Sequence, residues 1–417
     1  MKFFRDLLLS VGAMCAAFGL IECGLRLAHA RLEASFFDSD NERRYVLRPN
    51  AEGWSTTESE VYLKINSDGM RDVEWPLKRP PHTLRVAVVG ASEAEAAQVP
   101  LNETFEAVMC RELSRKLTEC GWKAEVLNFG VDGYTPSQTF LTLKNHVWKY
   151  DPQVVIFLFS AWTVQKTVRD FYPEQMGLAP VWVLKNGRLE PDEITRDAPR
   201  YDEQQVKRRG RMVDVMNRSY LLTLLHAAAL KAAGLPNEWR AQLEKPPAAA
   251  RSRAPAKDSA ASAVEADLLR SYNPDRPELK EAWAITEAFF KEMKEDCDRH
   301  GAEFWLVPAD QAMQVDPSPA KRKELERRMG IDTLDASDDR VQRFGAANGI
   351  LVFATAHILG DYAVAHNTYV HGSDSLKQQS HHWNKLGQEL AGEIIAQELL
   401  EHSATVPHLS ARAGMEK

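Results

Sequence analysis

Apolar residues are grouped along this chain in three ways. Residues 7–21 form a nearly unbroken apolar run, preceded by Lys2 and Arg5 and followed by Glu22 and Arg26. Residues 31–80 are mostly polar, hold Pro49, Pro76, Pro80 and Pro81, and read as an irregular lead-in. From there on, short continuous apolar runs alternate with stretches of helical period. Residues 84–89 (Leu-Arg-Val-Ala-Val-Val), bounded by Pro81 and Gly90, have the length and β-branched content of a buried strand. Phe105, Val108, Met109, Leu113 and Leu117 recur at helical spacing. A second short strand is predicted over 124–128. Thr135-Pro136-Ser137-Gln138 supplies an N-cap, a proline at the first helical position and a capping-box glutamine, and Phe140, Leu143 and Val147 continue that helix. Residues 154–159 (Val-Val-Ile-Phe-Leu-Phe) are apolar on both faces. Three strand-then-helix units in sequence predict a parallel sheet covered by helices.

The pattern changes after the third unit. Residues 180–189, with Asn186-Gly187 at their centre, predict a small hairpin. Residues 245–264 are low in complexity and predict disorder. Regular structure resumes with a helix over 278–300, strands at 303–307 and 351–354, and a closing helix over 384–402. The fold class is therefore α/β: a three-layer α/β/α domain with a parallel sheet, made of residues 81–165 and 276–403. It is interrupted by an insertion at 166–275 and followed by a tail at 404–417.

The N-terminal run, over residues 1–30, has a basic flank and an apolar centre of signal-peptide length. Ala28-His29-Ala30 resembles a cleavage site. Residues 7–28 number 22, against the ~20 that a membrane-spanning helix needs. An uncleaved single anchor in a bacterial inner membrane is expected, with the rest of the chain on the periplasmic side because the basic flank stays inside. Cys23 follows Glu22, and lipidation needs a small residue there.

Composition narrows the function. A net charge of −7, with no basic stripe interleaved with aromatics, argues against a nucleic-acid partner. The run Lys207-Arg208-Arg209-Gly210-Arg211 reads as a solvated helix face. Five cysteines exclude a disulfide scaffold. Cys110 and Cys120 either pair across a helix end or, with Cys297, remain free thiols. There is no Cys-x-x-Cys pair, no G-x-x-x-x-G-K-[ST] and no G-x-G-x-x-G, so the sequence calls for no cofactor and no metal.

Ligands of an open parallel sheet bind beyond the carboxyl ends of its strands. Three sequence features fall there: Gly90-Ala91-Ser92, Asn128-Phe129-Gly130-Val131-Asp132-Gly133 and Ser160-Ala161-Trp162-Thr163; far downstream, His381-His382-Trp383-Asn384 precedes the last helix. A serine between a buried strand and a helix N-terminus lies close to backbone N–H donors that suit an oxyanion. A histidine brought beside it is the general base that a hydroxyl nucleophile needs. Taken singly, the serine reads equally as a helix cap and the histidine as polar surface.

Their order resembles the SGNH/GDSL hydrolase family in its membrane-anchored bacterial form. The matching stretches are Val88-Val89-Gly90-Ala91-Ser92 with Val99-Pro100 and Thr104-Phe105, and Leu127-Asn128-Phe129-Gly130-Val131-Asp132-Gly133-Tyr134. Tyr150-Asp151-Pro152 and His382-Trp383-Asn384 with Gly387 follow, and Ile65-Asn66-Ser67-Asp68-Gly69-Met70-Arg71 matches the lead-in. The resemblance implies an ester hydrolase or O-acyltransferase acting on a cell-envelope carbohydrate or lipid. It implies Ser92 as nucleophile, His382 as base, and the backbone N–H groups of Ser92 and Gly133 as oxyanion donors. The sequence departs from the family in three places. Ala91 stands where the family has aspartate, Thr163 where it has an asparagine donor, and Gln379 or Ser380 where it has the acid that orients the histidine. Asp374 and Asp132 are the alternative acids. A catalytically impaired relative that binds an envelope polymer or partner is the competing reading. Two further readings are a nucleophile elbow at Gly90-Ala91-Ser92-Glu93-Ala94, one residue short of G-x-S-x-G, and a metal site from His366, His371, His381 and His382. Trp162 is a candidate for stacking on a sugar ring.

Overall fold

The computed structural model describes residues 2–56, 58–168, 179–198, 200–232, 273–372 and 382–406. Its first element, α1 (Lys2–Leu27), is long and apolar enough to cross a membrane and buries no residue in the rest of the chain. The lead-in corrects the sequence reading, because it is ordered. β1 (Phe37–Asp40) pairs with β2 (Arg44–Leu47), and β3 (Glu52–Ser55) with β4 (Val61–Lys64), both antiparallel. In β4, Val61 and Leu63 are buried while Tyr62 and Lys64 are exposed, the period-two pattern of a half-covered strand. At four residues that pattern is too short to stand out in the sequence. Phe36, Tyr45, Leu47, Leu63 and Ile65 form a small core with Val131 and Tyr134.

The main sheet contains β5 (Thr83–Gly90), β6 (Lys123–Gly130), β7 (Val154–Phe159), β10 (Glu303–Pro308) and β11 (Leu351–Val352), all parallel, in the spatial order β6-β5-β7-β10-β11. Between β7 and β10 the chain forms a separate hairpin of β8 (Trp182–Lys185) and β9 (Arg188–Pro191). Its turn is Asn186-Gly187, both with positive φ (52° and 76°), as a two-residue hairpin turn requires. The order along the main sheet reverses between β5 and β7, which makes that point the topological switch.

Alternate residues of each strand face opposite layers. Ala87, Val89, Val155, Phe157 and Leu306 pack with Phe140 of α4 (Pro136–Thr142), Trp283, Phe289 and Phe290 of α8 (Lys280–Arg299), and Val341 of α10 (Ala336–Asn348). Val86, Val88, Ile156, Leu158 and Val307 face Phe105, Met109 and Leu113 of α3 (Phe105–Leu117), Leu359 of α11 (Ala356–His366), and Ile395 and Leu399 of α12 (Lys385–His402). This is the three-layer parallel α/β arrangement read from the sequence. The helix caps follow too: Thr135 and Gln138 close the capping box on α4, and the Thr104 hydroxyl accepts from the Ala107 N–H at 3.3 Å. α3 and α12 approach closely at Gly392, where a Cβ would lie 2.5 Å from Cβ of Val108.

The insertion packs on the rest of the chain. Trp182 of its hairpin sits edge-on to Phe140 and Phe289. After a one-turn α5 (Glu193–Arg196), helix α6 (Glu203–Arg218) lies against β1 and β3, with Asp214 accepting from Arg48 at 2.9 Å. α7 (Tyr220–Ala232) follows it. The low-complexity stretch 245–264 lies outside the described residues. Between β10 and β11 the chain forms α9 (Pro319–Met329) as well as α10. All five cysteines are free thiols, and Cys297 is buried in the core, so no bridge joins Cys110 to Cys120.

Candidate active site

Ser92 is the first residue of α2 (Ser92–Glu95), a single helical turn at the carboxyl end of β5. The turn fits because the strands below it end in glycine. A Cβ on Gly130 would lie 2.3 Å from the backbone nitrogen of Glu95, and one on Gly90 would lie 2.9 Å from Cβ of Ala94. The Asn128 side chain clamps the same turn, donating to the Ala94 carbonyl at 2.7 Å and accepting from the Gly130 N–H at 2.8 Å. Ala96 ends the turn in a left-handed conformation.

Gly133 follows β6 and has φ +76°. Its loop is fixed by the lead-in and by α2. The Tyr45 hydroxyl donates to the Asp132 carbonyl at 2.8 Å, and the Asp132 N–H donates to Glu95 at 2.5 Å. Among the described residues, no acceptor takes the backbone N–H of Ser92 or of Gly133. Ser92 and Gly133 lie just past the ends of the neighbouring strands β5 and β6.

His382 joins them from the far end of the sequence. Its Nε2 is 2.7 Å from Oγ of Ser92. Its Nδ1 is 2.7 and 2.8 Å from the two carboxylate oxygens of Glu58. A carboxylate only accepts, so Nδ1 carries the proton toward Glu58, and in the neutral ring Nε2 is left to accept from the Ser92 hydroxyl. Burial lowers the pKa of His382. The hydrogen bond and charge of Glu58, with the charges of Glu93 and Asp132, outweigh that and bring it up to about 9.

Glu58 is the residue the sequence reading missed. It lies in the connection between β3 and β4, 324 residues from its histidine. That connection is tied down on both sides: Glu33 accepts from the N–H and hydroxyl of Thr56 at 2.5 and 2.7 Å, and the Ser59 hydroxyl donates to the Gln98 carbonyl at 2.5 Å. Gln98 in turn donates to the carbonyl of Trp383 at 2.9 Å, next to His382. Of the acids named from sequence, Asp374 lies outside the described residues, as does His381. Asp132 reaches His382 through charge, while the Nδ1 position belongs to Glu58.

A buried network holds the histidine segment. Asp310, just past β10, takes the His371 imidazole on Oδ2 at 2.7 Å. Its Oδ1 accepts from Trp383 Nε1 at 3.0 Å and from the Thr355 hydroxyl at 2.5 Å. The Gly372 N–H donates to the His382 carbonyl at 3.1 Å, and the Asn384 side chain caps α12 through the Gly387 N–H at 2.9 Å.

His371 and His382 therefore serve separate carboxylates, and His366 Nδ1 pairs with the Tyr362 carbonyl at 2.9 Å. Of the four histidines of the metal reading, His371 and His382 each pair with an acid, and His381 lies outside the described residues. Among the described residues, no group of three or more His, Cys, Asp or Glu side chains is arranged to hold a metal ion. Thr163, at the place of the family's asparagine, is buried and turned inward, its hydroxyl donating to the Ser160 carbonyl at 2.7 Å. The Trp162 ring is covered by Lys166, whose Nζ lies 4.5 Å from its centre.

No family model matches this sequence, and no curated protein matches it. Several solved structures align with this chain at low identity. A lipolytic protein of the G-D-S-L family from Desulfitobacterium hafniense is 13% identical, with 75% of this chain and 98% of that one aligned and a TM-score of 0.32. The lipase/acylhydrolase from Enterococcus faecalis is 12% identical over 76% and 94%, at 0.32. A catalytic mutant of Axe2, an acetylxylan esterase from Geobacillus stearothermophilus, is 10% identical over 76% and 92%, at 0.34.

Proposed function

We propose that this chain is a serine ester hydrolase or O-acyltransferase of the SGNH type. The observation that carries the reading is the unbroken hydrogen-bonded line from Ser92 through His382 to Glu58. In the first half-reaction Ser92 Oγ attacks the ester carbonyl carbon and its proton passes to His382 Nε2. Glu58 stabilises the imidazolium so formed, and the N–H groups of Ser92 and Gly133 hold the oxyanion. The tetrahedral intermediate collapses with the His382 proton going to the departing alkoxide oxygen, leaving an acyl group on Ser92. Water, or the hydroxyl of an acceptor, then attacks that acyl carbon and returns Ser92 to its free form by the same proton route.

The competing reading of an impaired, binding-only relative rested on a missing acid and a missing donor. Glu58 takes the acid's role in this proposal, so one of those two objections falls. The Thr163 hydroxyl is committed to Ser160, so the oxyanion is held by two backbone donors, and a lost donor costs about 10²–10³ in rate. A slow but genuine Ser-His-Glu enzyme is the result.

The exposed N-terminal helix supports placing the reaction at a membrane, with the domain on the periplasmic side and an acylated envelope carbohydrate or lipid as substrate. Hydrolysis of p-nitrophenyl acetate and butyrate tests the chemistry. The wild type is expected to turn over, with Ser92→Ala and His382→Ala at background and all three equally folded by circular dichroism. Equal background rates in all three, repeated with acylated glycan and lipid donors, would overturn it.

A further inference from the structure

Exposed apolar surface is concentrated on α1 and on the helices next to it. Phe18, Leu20 and Ile21 of α1, Met212 and Val215 of α6, and Leu224 and Leu225 of α7 are all exposed. α7 is 13 residues long, about 20 Å at 1.5 Å per residue, and reads Tyr-Leu-Leu-Thr-Leu-Leu-His-Ala-Ala-Ala-Leu-Lys-Ala.

Two sets of contacts orient it against α1. The Glu22 carboxylate accepts from the Tyr220 N–H at 3.2 Å, the Leu221 N–H at 2.9 Å and the Ser219 hydroxyl at 3.0 Å. Arg26, one turn further along α1, donates to the Arg218 carbonyl at 2.7 Å and lies 5.1 Å from the Tyr220 ring. Glu22 and Arg26 thus hold the first residues of α7 at the carboxyl-terminal end of α1.

Glu22 is thus a helix cap supplied by another helix. It meets N–H groups that the first turn of α7 cannot satisfy internally, at the end where a negative charge is favoured. It is also the acid that breaks the apolar run of α1. Its ion pair with Arg26 at 2.7 Å and the α7 donors compensate that charge at the edge of an apolar layer. Around the junction, Arg26, Arg218, Trp54, Tyr62 and Tyr220 line a cavity of about 280 Å³. Arginine, tryptophan and tyrosine are the side chains that suit headgroup level.

We propose that α7 lies in the same membrane leaflet as the end of α1, with lipid acyl chains against Leu224 and Leu225 and the Glu22–Arg26–Tyr220 junction at the headgroups. The occupant is assigned as lipid because this apolar surface continues that of α1, and because the junction has the polar and aromatic make-up of a membrane boundary. Residues 1–27 are then part of the mature protein, since cleavage at Ala28-His29-Ala30 would leave α7 uncapped. The inference rests on the reading of α1 as a membrane anchor.

The test uses the full chain with Cys15, Cys23, Cys110 and Cys120 changed to serine, reconstituted in phosphatidylethanolamine/phosphatidylglycerol vesicles. A fluorophore is attached at Leu225→Cys, at Leu9→Cys in α1, or at Lys323→Cys on the exposed face of α9, and the vesicles carry lipids with nitroxide-labelled acyl chains. Loss of fluorescence at positions 225 and 9 but not at 323 is expected, with Glu22→Ala reducing the loss at 225 alone. Quenching at 9 without quenching at 225 or, in a second variant, at Leu224→Cys would overturn the proposal and leave the anchor intact. Quenching at neither helix would remove the anchor and the proposal together, leaving the esterase chemistry to its own test.

Discussion

Oε1 of Glu58 and Nδ1 of His382 are 2.7 Å apart although 324 residues separate them. Glu58 comes from a hairpin ahead of the α/β domain, while His382 stands just before its last helix. Glu58→Gln keeps the shape but removes the charge, and the glutamine amide competes for the Nδ1 position. Loss of the corresponding aspartate in serine hydrolases of this kind costs about 10⁴ in kcat. A loss of about 10³–10⁴ in kcat on p-nitrophenyl acetate is expected, with KM changed far less. A Glu58→Gln enzyme of wild-type kcat would separate this residue from the chemistry.

The charge on Glu58 also sets the pH profile. His382 titrates near pH 9, and only the neutral ring takes the serine proton. kcat/KM is therefore expected to rise with pH toward a midpoint near 9. In Glu58→Gln the midpoint moves down, since the partner that favours the imidazolium is gone. The sign for stability is opposite. A histidine whose folded pKa is raised stabilises the fold fully below its unfolded value near 6.5, and this contribution is lost as pH rises through about 9. Denaturant midpoints of wild type and His382→Gln are expected to differ most below pH 6.5 and to converge by pH 9 and above.

Asp310 is enclosed by His371, Trp383 and Thr355, and its side chain is fully buried. Removing one partner of a buried, hydrogen-bonded pair typically costs about 3–5 kcal/mol. Asp310→Ala is expected to lower unfolding stability by about that amount, read from urea denaturation. Because Trp383 adjoins His382, kcat is expected to fall in the fraction that remains folded.

Gly130 sits under the turn that carries Ser92, where a Cβ would lie 2.3 Å from the Glu95 nitrogen. Gly130→Ala forces α2 off its strands. Overpacking of this kind costs about 1–3 kcal/mol, and kcat is expected to drop as Ser92 shifts from His382. Unchanged kcat and midpoint would mean that the turn accommodates the methyl group.

The strands of the main sheet were legible because they are short and mostly apolar, β7 without a break, and Ser92, Gly133 and His382 were named from the order of their motifs. Glu58 was not legible. It is one of two acids, with Glu60, in a short polar connection, and the hairpin that carries it shows only Val61 and Leu63 as a pattern. Its place beside His382 comes from tertiary packing, through Glu33, Ser59, Gln98 and the carbonyl of Trp383. The same reason hid the buried role of His371, whose partner Asp310 is 61 residues away. The lead-in and part of the insertion read as separate segments because the contacts joining them, such as Arg48 with Asp214, are single long-range pairs.

In the proposed reaction Ser92 is a nucleophile activated by His382. This is tested by treating the full chain with a fluorophosphonate, followed by intact-mass measurement and peptide mapping. The expected result is a single stoichiometric adduct on Ser92 that forms in the wild type, is absent in Ser92→Ala and is strongly slowed in His382→Ala. No adduct, or equal labelling of wild type and Ser92→Ala, would contradict the account.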